Sequence, residues 1–356
     1  MSEHETTAGA VIVCGFEGLE APSEIKRWIA SDLVAGLILF KRNIADMEQT
    51  QSTISAATER SAGSLPILIG VDQEGGRVAR LGEPILPLPP MRILARAKDR
   101  DLTRDAATIL GRQLRALGFN LDFAPVLDVD TNPNNPVIGD RSFGEKPAEV
   151  IEHGLAFAEG LHAGGLLSCG KHFPGHGDTD LDSHLALPAL RHERSRLEEI
   201  ELRPFRAAVG KLPSLMTAHV VFEALDAEVP ATMSRKVIED LLRCEIGYDG
   251  AVFSDDLEMK AVSDRYAIEE AGVLAIEAGC DLLLVCSDLD AAARLRETLT
   301  REAERSPVFR TRMREARSRA DRLRRRAAEL APAVPLENAL DRAEIGAVQE
   351  RLSKLE

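Results

Sequence analysis

Short apolar runs recur along the chain and alternate with polar segments of helical period. Eight runs have strand length: residues 10–16 (AVIVCGF), 34–40 (VAGLILF), 66–72 (PILIGVD), 121–129 (LDFAPVLDV), 166–173 (LLSCGKHF), 212–219 (LPSLMTAH), 250–256 (GAVFSDD) and 281–286 (DLLLVC). Most are apolar throughout rather than alternating, the pattern of parallel strands covered on both faces. Helical spacing fills 103–117, 148–163, 233–243 and 266–278, and Gly118 and Gly279 follow two of these where a left-handed C-cap is expected. Eight such units predict an α/β fold, a (β/α)8 TIM barrel over 8–303, with an open doubly wound sheet as the alternative. Residues 304–356 show no strand signal and are expected to form a C-terminal helical tail packed on the barrel. Residues 301–330 carry eleven arginines. A solvated helix whose long side chains lie over the barrel accounts for them, against a patch that binds anions.

The ionisable residues are not scattered. Asp72 ends the third run, Asp128 and Asp130 the fourth, Lys171 and His172 the fifth, His219 the sixth, and Asp255 with Asp256 the seventh. In a barrel these ends meet at one face, where active sites lie.

Bulk properties narrow the partners. The 356 residues are 44% hydrophobic, enough for a large core, and the formal charge of −14 argues against a nucleic-acid surface. Five cysteines (Cys14, Cys169, Cys244, Cys280, Cys286) are odd in number and mostly in apolar runs, as free buried thiols would be. No apolar run approaches the roughly 20 residues of a membrane span, and the N-terminal MSEHETTAGA lacks a basic stretch followed by an apolar one. A cytoplasmic monomer with no membrane partner is expected.

Four motifs carry chemistry. In VDQEGGRVAR (71–80), Asp72 is a carboxylate able to hold two sugar hydroxyls, and Gly75-Gly76 permit a tight turn that would aim Arg77 and Arg80 back at the site, with a loop ion pair as the alternative. In IGDRSFG (138–144), after the turn-rich TNPNNP, Arg141 offers a fork for a substrate oxygen, or else pairs with Asp140. KHFPGHGDTDLDSH (171–184) holds three of the eight histidines and three aspartates. Alternation lets only one of Lys171 and His172 point straight into the barrel, and the other must reach over the rim. PGHGD must be loop, and Gly175 and Gly177 suit a loop that moves. Asp182 and His184, two apart, fall on one side of an extended segment, where the carboxylate would fix the imidazole for proton transfer. In GAVFSDDLEMK (250–260), alternation sends Asp255 and Asp256 to opposite sides, and the inward one could attack an anomeric carbon. His176, Asp178, Asp182 and His184 also have ligand chemistry, but no HxH pair closes the first run and no HExxH occurs. A catalytic metal is disfavoured and no cofactor is expected.

Taken in order, DQEGGRV, GDRSFG, KHFPGHGDTDLDSH and FSDDLEM resemble glycoside hydrolase family 3, and within it the single-barrel bacterial β-N-acetylglucosaminidases of cell-wall recycling. The resemblance covers roughly 10–300. It implies that Asp255 is the nucleophile, His184 the proton donor and acceptor, and Asp182 its partner. It further implies that Asp72, Arg80, Arg141, Lys171 and His172 hold the N-acetyl sugar, and that His176 is loop structure. The implied substrate is a small N-acetylglucosaminyl saccharide or muropeptide. Another family 3 specificity (a β-glucosidase or a chitooligosaccharide hydrolase) and a metal-dependent barrel hydrolase remain the alternatives.

Overall fold

A computed structural model describes residues 2–59, 65–183 and 186–355. Eight parallel strands close into a barrel: β1 Ile12–Cys14, β2 Gly36–Leu39, β3 Leu68–Val71, β4 Leu121–Asp122, β5 Leu167–Phe173, β6 Ser214–Thr217, β7 Ala251–Asp256 and β8 Leu282–Val285. Each pairs with the next in sequence, and β8 returns to β1 through Ile12↔Leu283 and Cys14↔Val285. All eight predicted strands are present, and the doubly wound alternative falls because the sheet has no edge.

The uniform hydrophobicity of the runs has its cause in this closure. Along β7, Ala251 and Phe253 face the barrel interior, where Phe253 meets Phe123 edge-on at 5.3 Å, while Val252 joins the layer beneath the helices. The fourth run is regular only over Leu121–Asp122. Pro125 has no N–H to give a ladder, so the chain continues irregularly, with Leu127 N donating to Lys171 O at 2.6 Å.

The helices Arg100–Leu117 and Pro147–Ala163 correspond to two predicted segments. The first is capped by the Asp99 side chain, which accepts from Leu102 N, and ends at Gly118 with φ +105°. Residues 233–243 were expected as an ordinary helix, but Lys236–Glu245 winds with the wider π pitch. The long helix Pro307–Glu329 seals the N-terminal end of the barrel. Its Ala320, Leu323 and Ala327 join the interior cluster. One of its arginines is not solvated: Arg324 is 2% exposed and donates to Pro66 O, Leu65 O and Asp32. All five cysteines are free, with Cys244 alone exposed.

Candidate active site

The C-terminal strand ends surround a cavity of about 350 Å³. Asp72, Arg80, Arg141, Lys171, His172 and Asp255 all line it. Six of the eight residues singled out from the sequence therefore meet at one place. Asp182 is half-buried on the loop after β5, and His184 lies outside the described residues.

Strand alternation sends Asp255 and Asp256 to opposite sides and leaves one of Lys171 and His172 to reach over the rim. Asp255 and Asp256 both line the cavity, as do Lys171 and His172. Pairing of β7 with β8 slips between Leu282↔Phe253 and Leu284↔Asp256, and pairing of β5 with β6 slips between Gly170↔Leu215 and Phe173↔Thr217. In each, three steps on one strand face two on its neighbour. Such a bulge turns consecutive side chains toward the same face.

Charge is organised as a chain of alternating sign. Arg80 donates to Asp72 (3.1 Å), Lys171 donates to Asp72 (2.8 Å) and pairs with Glu74 (2.5 Å), and Glu74 takes Arg141 Nε and Nη2 at 2.8 Å each. Glu74 is 2% exposed and was not expected from the sequence to take part. Burial opposes ionisation of Glu74, but Arg141 and Lys171 overcome it and hold the carboxyl well below its usual range. Asp72 is likewise lowered, with Lys171 and Arg80 outweighing desolvation. Lys171 is itself raised against burial by Asp72 and Glu74. The Arg141 fork, expected to await a substrate oxygen or Asp140, is thus engaged by Glu74. Its remaining Nη1 donates to Val137 O at 3.1 Å. Asp140 instead pairs with Arg77, which does not return to the site with Arg80 but donates to Val137 O and Ile138 O. The turn that leads into Arg77 rests on Gly75 (φ +109°) and Gly76 (φ +54°), values that side chains disfavour.

A second hub is Asp128, fully buried at the end of the fourth run. His172 Nδ1 donates to its Oδ2 at 2.7 Å, which leaves Nε2 as the ring nitrogen free of that contact. His176 N donates to its Oδ1 at 2.6 Å. Burial disfavours the Asp128 charge, but His172 restores it and lowers the carboxyl below its ordinary value. Asn135, from the turn-rich stretch, accepts from Val137 N and Ile138 N and donates to His176 O, and so joins two site loops.

On the opposite wall, Asp255 Oδ1 accepts from Asp256 N at 2.8 Å. The Asp256 carbonyl accepts from His219 Nε2 at 2.9 Å, the strand-end histidine of β6. The Asp256 carboxyl is pushed up to about 7, first by burial and then by Glu258 and Asp255. Phe40 closes the rim under two guanidinium groups, Arg42 at 4.7 Å and Arg80 at 5.4 Å from its ring centre. Glu74 sits inside DQEGGRV, two residues from Asp72, and the approach of Arg141, 67 positions away, and of Lys171 gives it a task. Asp128 had been visible as a strand-end acid, but its partners had not.

Among the described residues no group of three His, Cys, Asp or Glu side chains could hold a metal ion. His176 and Asp178, two of the candidate ligands, are engaged elsewhere: His176 with Thr179 and Ser183, Asp178 with Thr131 and His192.

The N-terminal domain of glycosyl hydrolase family 3 matches residues 10–320. The chain belongs to glycosyl hydrolase family 3. This family 3 hydrolase is 38% identical over 290 residues to a β-hexosaminidase of Idiomarina loihiensis, covering 80% of this chain and 86% of that one. It is 41% identical over 287 residues to a β-hexosaminidase of Alkalilimnicola ehrlichii, covering 79% and 81%. Among solved structures, a family 3 β-N-acetylglucosaminidase from a Paenibacillus species superposes with a TM-score of 0.94 at 40% identity, over 100% of this chain and 69% of that one. NagZ of Neisseria gonorrhoeae in complex with N-trifluoroacetyl-D-glucosamine gives 0.82 at 31% identity, over 98% of both chains. No described helix is long and apolar enough to cross a membrane.

Proposed function

We propose that this β-N-acetylhexosaminidase removes terminal, non-reducing β-linked N-acetylglucosamine with retention of configuration, from peptidoglycan-derived muropeptides in the cytoplasm. The observation that carries the reading is the convergence on one cavity of Asp255, at the end of β7, with Asp72, Arg80, Arg141, Lys171 and His172. The related gonococcal enzyme crystallised with an N-acylated glucosamine supports the sugar class.

In this mechanism Asp72 and the Nε2 edge of His172 bind sugar hydroxyls, while Lys171 and Arg141 keep Asp72 and Glu74 ionised. Asp255 attacks the anomeric carbon, forming the C–O bond of a glycosyl-enzyme as the bond to the leaving oxygen breaks. His184, oriented by Asp182, gives its proton to that oxygen. Water then attacks the same carbon, His184 takes the water's proton, and the sugar leaves Asp255 as a free carboxylate. The proposed pair thus has an imidazole in place of one of the two carboxylates usual in retaining glycosidases.

Asp255→Ala is expected to lower turnover of 4-nitrophenyl N-acetyl-β-glucosaminide by at least about 10³-fold, since the covalent step has no substitute. A 5-fluoro N-acetylglucosaminyl fluoride should leave its mass on the peptide containing Asp255. Near-normal turnover by the variant, or a label elsewhere, would overturn the assignment. Hydrolysis of 4-nitrophenyl glucoside at a comparable rate would overturn the sugar specificity. Faster cleavage of chitobiose than of an N-acetylglucosaminyl-anhydromuramoyl peptide would overturn the aglycone.

A further inference from the structure

We infer that His176 and Ser183 form a positioning pair that sets the acid/base segment against the nucleophile strand; the inference rests on the roles proposed for His184 and Asp255. The imidazole of His176 is 1% exposed and lies between two hydroxyls: Thr179 Oγ1 at 2.8 Å from Nδ1 and Ser183 Oγ at 2.9 Å from Nε2. Its backbone is fixed as well, N–H to Asp128 Oδ1 at 2.6 Å and carbonyl to Asn135 Nδ2 at 2.9 Å. The next residue must be glycine, because a Cβ at Gly177 would sit 1.9 Å from Val129 O. The ring is therefore clamped against the end of the fourth run, and its far nitrogen holds Ser183.

Ser183 is 2% exposed and lies on the cavity wall, between Asp182 and position 184. Its carbonyl accepts from Ala261 N at 3.2 Å. Ala261 belongs to the turn Lys260–Ser263, four residues after the nucleophile strand ends. Ser183 thus ties the loop after β5, by its side chain, to the segment after β7, by its backbone. Nothing else described on 177–183 joins those two segments by a backbone hydrogen bond. Burial, and then His172, pull the His176 imidazole down to about 4, so the ring is neutral at working pH and offers one donor and one acceptor. Either tautomer matches two hydroxyls, so the clamp holds without a charge.

The consequence is catalytic rather than architectural. A general acid must stand within hydrogen-bond reach of the oxygen it protonates, and a misplacement of ~1 Å costs on the order of 10²-fold. Neither His176 nor Ser183 need touch sugar; they act through the residue beside them.

The test measures kcat/KM for aryl N-acetyl-β-glucosaminides with leaving groups from 2,4-dinitrophenol, which departs unprotonated, to phenol, which needs a proton. Ser183→Ala, which removes one oxygen, is compared with His176→Ala and with His184→Ala as the reference. Ser183→Ala is expected to stay within about 3-fold of the parent on the dinitrophenyl sugar and to lose roughly 10–100-fold on the phenyl sugar, with KM unchanged. His176→Ala should follow the same trend if it folds, and Ser183→Ala decides the matter if it does not. A loss of equal size for every leaving group, or none, with His184→Ala still steep, would overturn this inference alone. A flat profile for His184→Ala would overturn the acid/base assignment itself.

Discussion

Buried charge networks sit at both ends of the barrel and are built from the same side chains to different ends. At the N-terminal end, Asp281 is fully buried and accepts from Arg243 (2.6 Å), Arg312 (2.7 Å) and Val252 N (3.0 Å). The same guanidinium groups reach backbone carbonyls, Arg243 those of Tyr248 and Gly250, Arg312 those of Ile276 and Cys280. Asp281 itself has no exposed surface, Arg312 also reaches the exposed Glu315 at 3.5 Å, and the network fastens the sealing helix to β7 and β8. At the C-terminal end, the chain from Arg80 through Asp72, Lys171 and Glu74 to Arg141 keeps one side on the cavity. Where backbone completes the coordination of the charges, the network is architecture. Where a cavity takes the last place, it is a site.

The largest effect should separate the two ends. Asp281→Ala leaves two buried arginines without their anion and is expected to cost about 3–5 kcal/mol of stability. Chemical denaturation would read this, while kcat of the folded fraction stays near the parent. A fall in kcat with stability unchanged would erase the distinction.

Glu74→Gln sharpens it from the other side. The variant removes the anion shared by Arg141 and Lys171 but keeps the shape. A 10–100-fold loss of kcat/KM, about 1.4–2.8 kcal/mol, is expected, mainly through KM. Steady-state kinetics together with a thermal melt would check it, and a variant that only melts earlier would move Glu74 to the architectural class.

The smallest effect concerns Asp122, beneath the site. It accepts from Gln73 N at 2.9 Å, and burial pushes its carboxyl up to about 8. The folded state then holds a proton that the unfolded chain releases above about 4. This contribution is whole below about pH 4 and is lost as pH rises to about 8. Asp122→Asn has no such proton to lose, so its melting temperature should match the parent near pH 4 and exceed it by a few degrees near pH 8. Asp72 and Glu74 have the opposite sign, since their lowered carboxyls lose their contribution as pH falls.

Much of the site was legible because strand ends in a barrel converge whatever the loops do. Asp72, Lys171, His172 and Asp255 needed only the placement of the strands. Arg141 needed its loop, and its fork was assigned to a substrate because Glu74 is invisible as a partner until residues 74 and 141 are brought together. Alternation misplaced Asp256, because bulges depend on how a strand pairs and not on its own composition. Gly175 and Gly177 suit a loop that moves, and the fold adds a separate reason for Gly177, its approach to Val129 O. His176 is implied by the resemblance to be loop structure, and the two hydroxyls that hold its ring come into view only in the fold.

The sequence by itself determined the barrel, since eight apolar runs joined by helical segments have few other ways to cover both faces of every strand. It also determined which strand ends bear ionisable groups. Only the tertiary structure decided which charges neutralise which, because those pairings are set by loops meeting across tens of residues. It decided equally that a slipped register turns two neighbouring aspartates to one cavity, and that a buried histidine holds the serine between Asp182 and His184. Local propensity encodes elements, whereas desolvation and contact, which exist only after folding, assign the work of each charge.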